Sequence, residues 1–457
     1  MKLLFIHGWS VTHTDTYGEL PEALLDLAPP ALNLEIHHVY LGRYISFHDE
    51  VTMEDIARGF DKARKDEIGD KKFSCITHST GGPVIRTWVD LYYGAKGRLN
   101  AMPLTHLIML APANHGSALA QLGKSRLGRI KAWWKGVEPG AKILNWLELG
   151  SKPQWDLNVS WLSYDPVKHN FYPFVFTGQD IDEKLYDHLN SYTGEKGSDG
   201  VIRVCAANMN YRYLKLRQNI GKEIKKKPLT HSLEIVKPSH KESPATPLAV
   251  IPEASHSGNK MGIMKSVKKK KAGDKPVVGF ILKALQVKNK IDYDKFAQNV
   301  ATSSNKAQSR SDKYSMIVFY LHDDRGNDIY DYDILLLGGE KHDPDKLPPG
   351  FFMDRQRNSI NRNRLTYYLN STIMSTIESQ QLGLRVIARP QTGFSYYTVG
   401  EFHPGKTTVN ELVAENMTLL VEIELRRHVD QNIFRLGPLE KKRRNFSKTK
   451  PANIRVP

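Results

Sequence analysis

The segment ITHSTGGPVIRTW, residues 76–88, begins with the pattern of a buried strand and continues with that of a helix. The pattern changes at Ser79, which follows His78 and precedes Gly81–Gly82. A strand that turns sharply into a helix presents its turn residue at the edge of a sheet, where the helix N-terminus favours negative charge. The position of Ser79 therefore predicts a reactive hydroxyl group.

A reactive serine needs a base to take its proton, a group that orients the base, and donors for the oxyanion that forms on the attacked carbonyl. The motif that carries such a serine is usually G-x-S-x-G. Here it reads THSTG, residues 77–81, so Thr77 replaces the first glycine. On these five residues alone, an ordinary strand-to-helix turn containing a serine is the alternative.

Two further segments have the pattern expected around such a serine. The apolar run KLLFI leads into HGWS, residues 7–10, a loop of the kind that completes an oxyanion hole with the residue after the nucleophile. The predicted donors are the backbone amides of Trp9 and Thr80. Downstream, the apolar run HLIMLA leads into PANHGSALA, residues 112–120.

With these motifs, the N-terminal part of the chain resembles the α/β-hydrolase superfamily, specifically its lipase-like branch. The resemblance implies that an acid and a histidine follow the serine in the chain. For the acid, Asp199 in GSDGVI resembles the Asp-Gly-hydrophobic motif of bacterial lipases, and Asp180 in FTGQD is the alternative. For the base, His256 follows the apolar run PLAVIP and precedes a helix-like stretch, where the superfamily places its histidine.

Four other histidines are given other roles. His231 and His240 lie in basic, polar sequence with no preceding strand, so we predict that both are surface residues. His7 and His78 are predicted to support the oxyanion loop and the serine turn.

Strand-like and helix-like segments alternate through residues 1–295, with Gly and Pro at the joints. This alternation predicts an α/β domain with a mostly parallel sheet and helices on both faces, which the resemblance identifies as an α/β-hydrolase fold. Strand-like runs separated by turns then predict an antiparallel, β-sandwich-like domain over residues 310–435. The polar stretch 296–313 is the predicted linker, and residues 436–457 form a basic tail.

Residues 118–166, between the fourth core strand and the next, form a predicted lid or cap insertion. They hold five of the seven tryptophans, leucines at near-helical spacing, and interspersed basic residues. A helix with apolar and aromatic residues on one side and basic residues on the other lies in a membrane interface. Alternatively, the insertion packs its tryptophans onto its own domain, which still leaves an apolar pocket suited to acyl chains.

The formal net charge of +16 at pH 7 predicts attraction to polyanions, meaning nucleic acid or anionic lipid head groups. The basic stretch 354–364 has little aromatic interleaving, so we expect no nucleic-acid recognition. No apolar run approaches the roughly 20 residues that span a bilayer. Only two cysteines and no secretory signal lead us to expect synthesis in the cytoplasm, and export by a route that needs no cleaved signal stays open.

Together these features predict a serine hydrolase that cleaves carboxylic ester bonds of lipids, foremost phospholipids, at a membrane surface. The catalytic residues implied by the resemblance are Ser79, His256 and Asp199. The overall plan is also similar to phospholipase effectors of bacterial type VI secretion systems, which implies an inhibitor or secretion partner.

Two alternatives are left open. One is a soluble carboxylesterase or thioesterase, and the other is a catalytically inactive hydrolase-fold scaffold, which only Thr77 favours. The mechanism requires no cofactor or metal. The acidic turn at residues 323–328, with Asp331 and Asp333 beyond it, offers oxygen ligands of the kind that calcium prefers, or it is a hairpin turn with solvated carboxylates.

Overall fold

The computed structural model describes residues 1–7, 15–46, 48–121, 140–181, 195–237, 239–390, 395–405 and 407–430. The strands of this part of the chain are β1 Lys2–His7, β2 Glu35–Tyr40, β3 Phe73–His78, β4 Leu104–Leu110, β5 Tyr172–Gly178, β6 Tyr211–Glu223, β7 Thr230–Ile235, β8 Lys241–Glu242, β9 Leu248–Ile251, β10 Tyr314–Asp323, β11 Asp331–Gly338, β12 Phe352–Arg357, β13 Arg364–Asn370, β14 Leu382–Arg389, β15 Ser395–Tyr396, β16 Val399–Phe402, β17 Thr418–Leu425 and β18 His428–Val429. The α-helices are α1 Leu20–Leu27, α2 Met53–Ile68, α3 Gly81–Val89, α4 Ala141–Leu147, α5 Lys152–Trp161, α6 Val204–Ala207, α7 Pro276–Ala284, α8 Lys290–Ala307, α9 Ser371–Met374 and α10 Val409–Leu412.

A parallel sheet with the strand order β2-β1-β3-β4-β5-β9 forms the centre of the first domain. Side chains of β1 alternate between two cores. Leu4 and Ile6 pack with α2 and α3 on one face, whereas Leu3 and Phe5 pack with α1, α7 and α8 on the other. Parallel sheets are buried on both faces, which explains the nearly continuous apolar strands. The predicted α/β fold with helices on both faces is confirmed.

The parallel arrangement brings distant parts of the chain to one edge of this sheet. Ser79 follows β3, Asp180 follows β5, and His256 lies shortly after β9. In open α/β sheets, ligands bind in the crevice at the carboxyl ends of the strands. The strand order therefore decides which of these side chains lie close together.

A second, mixed sheet has the strand order β11-β14-β16-β7-β6-β17-β10-β13-β12, with β8 beside β6. The prediction of a β-rich C-terminal domain is confirmed, but the prediction that its strands are antiparallel is wrong for three pairs: β16–β7, β6–β17 and β17–β10 are parallel. Strands β6 to β8 lie within the range predicted for the catalytic domain, so no single point in the chain separates the two sheets. Pairing between such distant segments leaves no local sequence pattern.

The predicted linker at residues 296–313 is largely helical. Helix α8 runs from Lys290 to Ala307, and Asn289 caps it by accepting a hydrogen bond from Asp292 N–H at 3.0 Å. Its buried side chains recur every three or four positions, as an amphipathic helix requires, and they are Tyr293, Phe296, Val300 and Ser304. The prediction of a linker was wrong because most side chains of this helix are polar, and the few buried ones form only a narrow apolar stripe that is hard to recognise in the sequence.

The described part of the predicted insertion packs onto the protein. The side chains of Trp146, Trp155 and Trp161 are at most 5% exposed, so the alternative of a self-packed cap applies to them. Trp133 and Trp134 lie outside the described residues. Within the described ranges, no helix is both long and apolar enough to span a bilayer.

One apolar core is shared by the two sheets. It joins the α2–α3 face of the first sheet to six residues of the second, which are Tyr211, Tyr314, Met316, Val318, Tyr368 and Leu420. The second sheet therefore packs directly against the domain that carries Ser79, and side chains of its strands form part of the core of that domain.

Candidate active site

Ser79 occupies the turn between β3 and α3, where its backbone φ is 52°. Residues other than glycine rarely adopt this left-handed conformation, and α/β-hydrolases place their nucleophile on such a strained turn. The N–H of Ser79 donates to the carbonyl of Leu110 at 3.0 Å, which ties the turn to the end of β4. The serine is thus presented at the carboxyl edge of the sheet, with 6% of its surface exposed.

The glycines after the serine leave space that side chains would fill. A Cβ atom on Gly81 would lie 3.1 Å from the Cβ of Thr77, and one on Gly82 would lie 2.8 Å from the Cβ of Pro112. Thr77 fits where the usual motif has glycine because Gly81 leaves room for its side chain. The departure from the motif therefore leaves the turn intact.

His256 lies between Ser79 and Asp199. The Ser79 hydroxyl donates to Nε2 of His256 at 3.1 Å, and Nδ1–H of His256 donates to Oδ2 of Asp199 at 2.9 Å. Because a carboxylate only accepts, its bond to Nδ1 leaves Nε2 as the acceptor. Ser79, His256 and Asp199 are 6%, 5% and 0% exposed, respectively. This is the arrangement of a nucleophile, its general base and the acid that orients the base.

The Asp199 carboxylate is held by its own loop. Its second oxygen, Oδ1, accepts hydrogen bonds from the backbone N–H groups of Val201 at 3.0 Å and Ile202 at 2.8 Å. Gly200, between Asp199 and Val201, has a φ of 92°, a conformation that L side chains rarely adopt. The carboxylate therefore has little freedom to turn away from the histidine.

Asp180, the alternative acid, lies after β5 and holds a different loop. Its N–H donates to the carbonyl of Ala254 at 3.1 Å, and its carboxylate accepts from the backbone N–H groups of Glu253 and Ala254. Burial raises the pKa of Asp180 above its usual range. The carboxylate that accepts from Nδ1 of His256 belongs to Asp199.

The neighbouring histidines have supporting contacts. His78 donates from Nε2 to the carbonyl of His256 at 3.0 Å, and burial, followed by the proximity of His256, holds the pKa of His78 well below its usual range. Burial also lowers the pKa of His7 to about 3, and its Nε2 lies 2.8 Å from Nδ1 of His38. His240 is exposed, whereas His231 is half-buried in β7.

One of the two predicted oxyanion donors can be located. In the part of the chain that the structure describes, the N–H of Thr80 has no hydrogen-bond acceptor. It lies at the N-terminus of α3, where the helix dipole favours negative charge. Trp9, the other predicted donor, lies outside the described residues.

A pocket opens beside Ser79. Helix α4 of the insertion forms one wall of it, and the loop after Asp199 forms another. Its lining is almost entirely apolar, and it consists of Ser79, Thr80, Ala113, Ser117, Leu119, Ala120, Leu144, Leu147, Val201 and Ile202. An apolar lining of this kind favours contact with an apolar group such as an acyl chain.

Comparison with solved structures places the chain in a family. Phospholipase PlaB from Legionella pneumophila matches with 43% sequence identity and a TM-score of 0.85, over 96% of this chain and 98% of that chain. The chain belongs to the PlaB phospholipase family. A second structure of PlaB from Legionella pneumophila, in complex with thio-NAD, matches over the same shares with 42% identity and a TM-score of 0.85.

Membership of the PlaB family confirms the prediction of an ester hydrolase of the lipase and phospholipase class with an α/β-hydrolase fold. A mature-form lipase from Bacillus licheniformis matches at 16% identity and a TM-score of 0.33, over 45% of this chain and 78% of that chain, which is too distant to add weight. No protein-family model matches the chain, and no curated protein matches it.

Sequence patterns missed a buried polar network beneath the serine turn of this PlaB-family chain. Arg86 on α3 is fully buried, and it donates to the side-chain oxygens of Asn114 at 3.2 Å and Asn158 at 2.8 Å. Its guanidinium lies 4.8 Å from the ring centroid of Trp161, and burial lowers the pKa of Arg86 to about 10. The only local sign of this network in the sequence was Asn114 within PANHGSALA.

The acidic turn considered for calcium uses its carboxylates within the protein. Asp323 accepts from the backbone N–H groups of Arg325 at 2.9 Å and Asn327 at 2.8 Å, and Asp324 pairs with Arg426 at 2.5 Å. Among the residues that the structure describes, no group of three His, Cys, Asp or Glu side chains could hold a metal ion.

The glycine pair leads to a prediction about the stability of this PlaB-family fold. Replacing Gly82 by alanine forces a Cβ against Pro112, so we expect Gly82→Ala to lower the free energy of unfolding by about 1–3 kcal/mol. Gly279 on α7 is the matched control, since a Cβ there meets nothing within 4 Å. Gly279→Ala should raise the free energy of unfolding by about 0.4–1 kcal/mol. Urea denaturation of the two variants measures both effects, and equal stability of the two would contradict the packing argument.

Proposed function

We propose that this chain hydrolyses carboxylic ester bonds of phospholipids through an acyl-enzyme on Ser79. The observation that carries the proposal is the hydrogen-bonded series Ser79–His256–Asp199, with distances of 3.1 and 2.9 Å, in a chain 43% identical to phospholipase PlaB from Legionella pneumophila. The apolar pocket beside the serine supports a lipid acyl group as the part of the substrate that binds there.

Each residue has a defined role in the proposed reaction. Nε2 of His256 takes the proton of Ser79 as the hydroxyl attacks the ester carbonyl, and Asp199 orients the imidazole and stabilises its charged form. The backbone N–H of Thr80, with that of Trp9 as predicted from the sequence, stabilises the oxyanion. His256 then returns the proton to the leaving alcohol, and water, activated by the same imidazole, releases the fatty acid.

The first test is the loss of lipid cleavage when the serine is removed. Wild-type protein incubated with a mixed bacterial lipid extract should release free fatty acid and lysophospholipid, measured by mass spectrometry. Ser79→Ala should lower this turnover on the order of 10⁶-fold, because the nucleophile is lost. Ser74→Ala, a buried serine at the other end of β3 that bonds Thr105 and His106, is the matched control and should retain activity.

Equal lipid products from wild type and Ser79→Ala would remove the proposal. A wild type that cleaves short p-nitrophenyl esters but no phospholipid would favour the soluble esterase instead. Absence of labelling by a fluorophosphonate probe in wild type would favour the inactive scaffold.

The second test separates the two candidate acids. Asp199→Asn keeps the size of the side chain but favours the wrong histidine tautomer, so we expect a fall in kcat of about 10⁴-fold. Asp180→Asn changes a half-buried carboxylate that holds the loop at residues 253–254, and it should keep kcat near the wild-type value. Initial rates on a p-nitrophenyl ester measure both. The reverse pattern would assign the acid to Asp180.

We also propose peripheral contact with anionic membranes. The formal net charge of +16 supports it, and so does the β6–β7 hairpin, where Ile220 is 47% exposed, Leu229 is 66% exposed, and Lys225 and Lys226 are exposed between them. Apolar and basic side chains together favour a lipid interface. Export by a signal-independent route, with an inhibitor or secretion partner, stays a proposal based on the resemblance to secreted effectors.

Sedimentation with vesicles tests the membrane contact. We expect binding to anionic vesicles that weakens from low to high salt, because salt screens the attraction of the lysines to lipid head groups. Replacing Ile220 and Leu229 together by serine should reduce the bound fraction. Ile291→Ser, at a 78% exposed position on α8, is the control and should bind like wild type. Equal binding of both variants would exclude the hairpin as the contact.

A further inference from the structure

The turn that carries Asp199 is closed by its own backbone. Ser198 pairs with Arg203 as an antiparallel bridge, and the N–H of Asp199 donates to the carbonyl of Ile202 at 3.1 Å. Both hydrogen bonds to Oδ1 of Asp199 also come from within this turn. The direction of the carboxylate therefore depends on the shape of the turn, and the turn ends at Arg203.

The side chain of Arg203 is charged and yet almost fully buried, with 1% exposure. Its Nε and one Nη donate to the two oxygens of Glu195, at 2.9 and 2.6 Å, and the same Nη donates to Asp354 at 2.5 Å. Burial alone would lower the pKa of Arg203, but these carboxylates outweigh it and raise the pKa above its usual range. Glu195 precedes the turn and Asp354 lies on β12, so one guanidinium joins the turn to the second sheet.

Two aromatic side chains of the second sheet complete this contact. The guanidinium of Arg203 lies 4.0 Å from the ring centroid of Tyr368, and the Tyr368 hydroxyl donates to the carbonyl of Lys196 at 2.7 Å. A Cβ atom on Gly197 would lie 2.3 Å from Cδ2 of Tyr314 and 2.6 Å from the hydroxyl of Tyr368. The backbone before the turn thus rests directly on β10 and β13.

We propose that Arg203 is a positioning residue for catalysis, holding the turn at residues 198–203 against the second sheet so that Asp199 stays directed at His256. This inference rests on the proposed triad. It assigns the second sheet a part in the reaction that acts through the turn carrying Asp199. Bidentate binding and stacking both use the planar guanidinium, so lysine can replace Arg203 only in part.

The test measures how fast Ser79 reacts, separately from how much of the protein reacts. Diisopropyl fluorophosphate is small, so its reaction depends on activation of Ser79 by His256 more than on the acyl pocket. For Arg203→Gln we expect the rate constant of labelling to fall about 10²-fold, because a small misplacement of a catalytic group has an effect of this size. The final extent of labelling should equal that of wild type, and Arg203→Lys should react at an intermediate rate.

The matched control is Arg357→Gln. Arg357 also stacks on a tyrosine of the second sheet, with its guanidinium 4.4 Å from the ring centroid of Tyr332, and it donates to the carbonyl of Tyr332 at 2.8 Å. Like Arg203→Gln, this substitution removes one positive charge and one contact with a tyrosine ring. Unlike Arg203→Gln, it does not change the turn at residues 198–203. Its labelling rate constant should equal that of wild type.

The outcomes distinguish this inference from the proposed function. Wild type that does not react, or Ser79→Ala that still does, would refute the proposed function. If wild type reacts and Arg203→Gln labels at the wild-type rate constant, the positioning role is refuted. Should Arg203→Gln fail to fold, Glu195→Gln combined with Asp354→Asn leaves the arginine in place without its carboxylates. A wild-type rate constant in that double variant refutes the role equally, and a reduced one at full labelling supports it.

Discussion

The hydrogen bonds that join Ser79, His256 and Asp199 impose the main constraint on this structure. They require three segments that are far apart in the chain to meet within about 3 Å, the length of a hydrogen bond. Ordering such distant segments costs conformational entropy, and the burial of two apolar cores on the faces of the parallel sheet offsets that cost. The sheet also solves the geometric problem, because parallel strands end at the same edge.

The second sheet is part of this solution. Its strands complete the core behind α2 and α3, and they contact the loop that carries the acid. Two arginines are buried near the site: Arg86 beneath the serine turn, and Arg203 at the end of the turn that carries Asp199. A buried charge is tolerated only with hydrogen-bonding partners, so each arginine also determines the position of the groups around it.

Local patterns predicted the strand, turn and helix around Ser79 well, because a change from strand-like to helix-like periodicity is visible within a few residues. Local patterns predicted less well those elements whose structure depends on packing against distant parts of the chain. Most of the helix at residues 290–307 fell in the predicted linker at residues 296–313, since only a narrow stripe of its side chains is buried. The parallel pairs of the second sheet left no local signal at all. The tryptophans of the insertion were consistent with two arrangements, and burial of Trp146, Trp155 and Trp161 favours the packed one.

The sequence by itself determined the α/β class, the turn at Ser79, and the residue types available for nucleophile, base and acid. It did so because periodicity and glycine placement act within a few residues of each other. Only the tertiary structure decided that Asp199, and not Asp180, accepts the hydrogen bond of His256, and that Arg203, at the end of the turn that carries Asp199, donates to Asp354 of the second sheet. Both choices depend on distances between segments that are remote in the chain, and such distances are set by strand order and core packing.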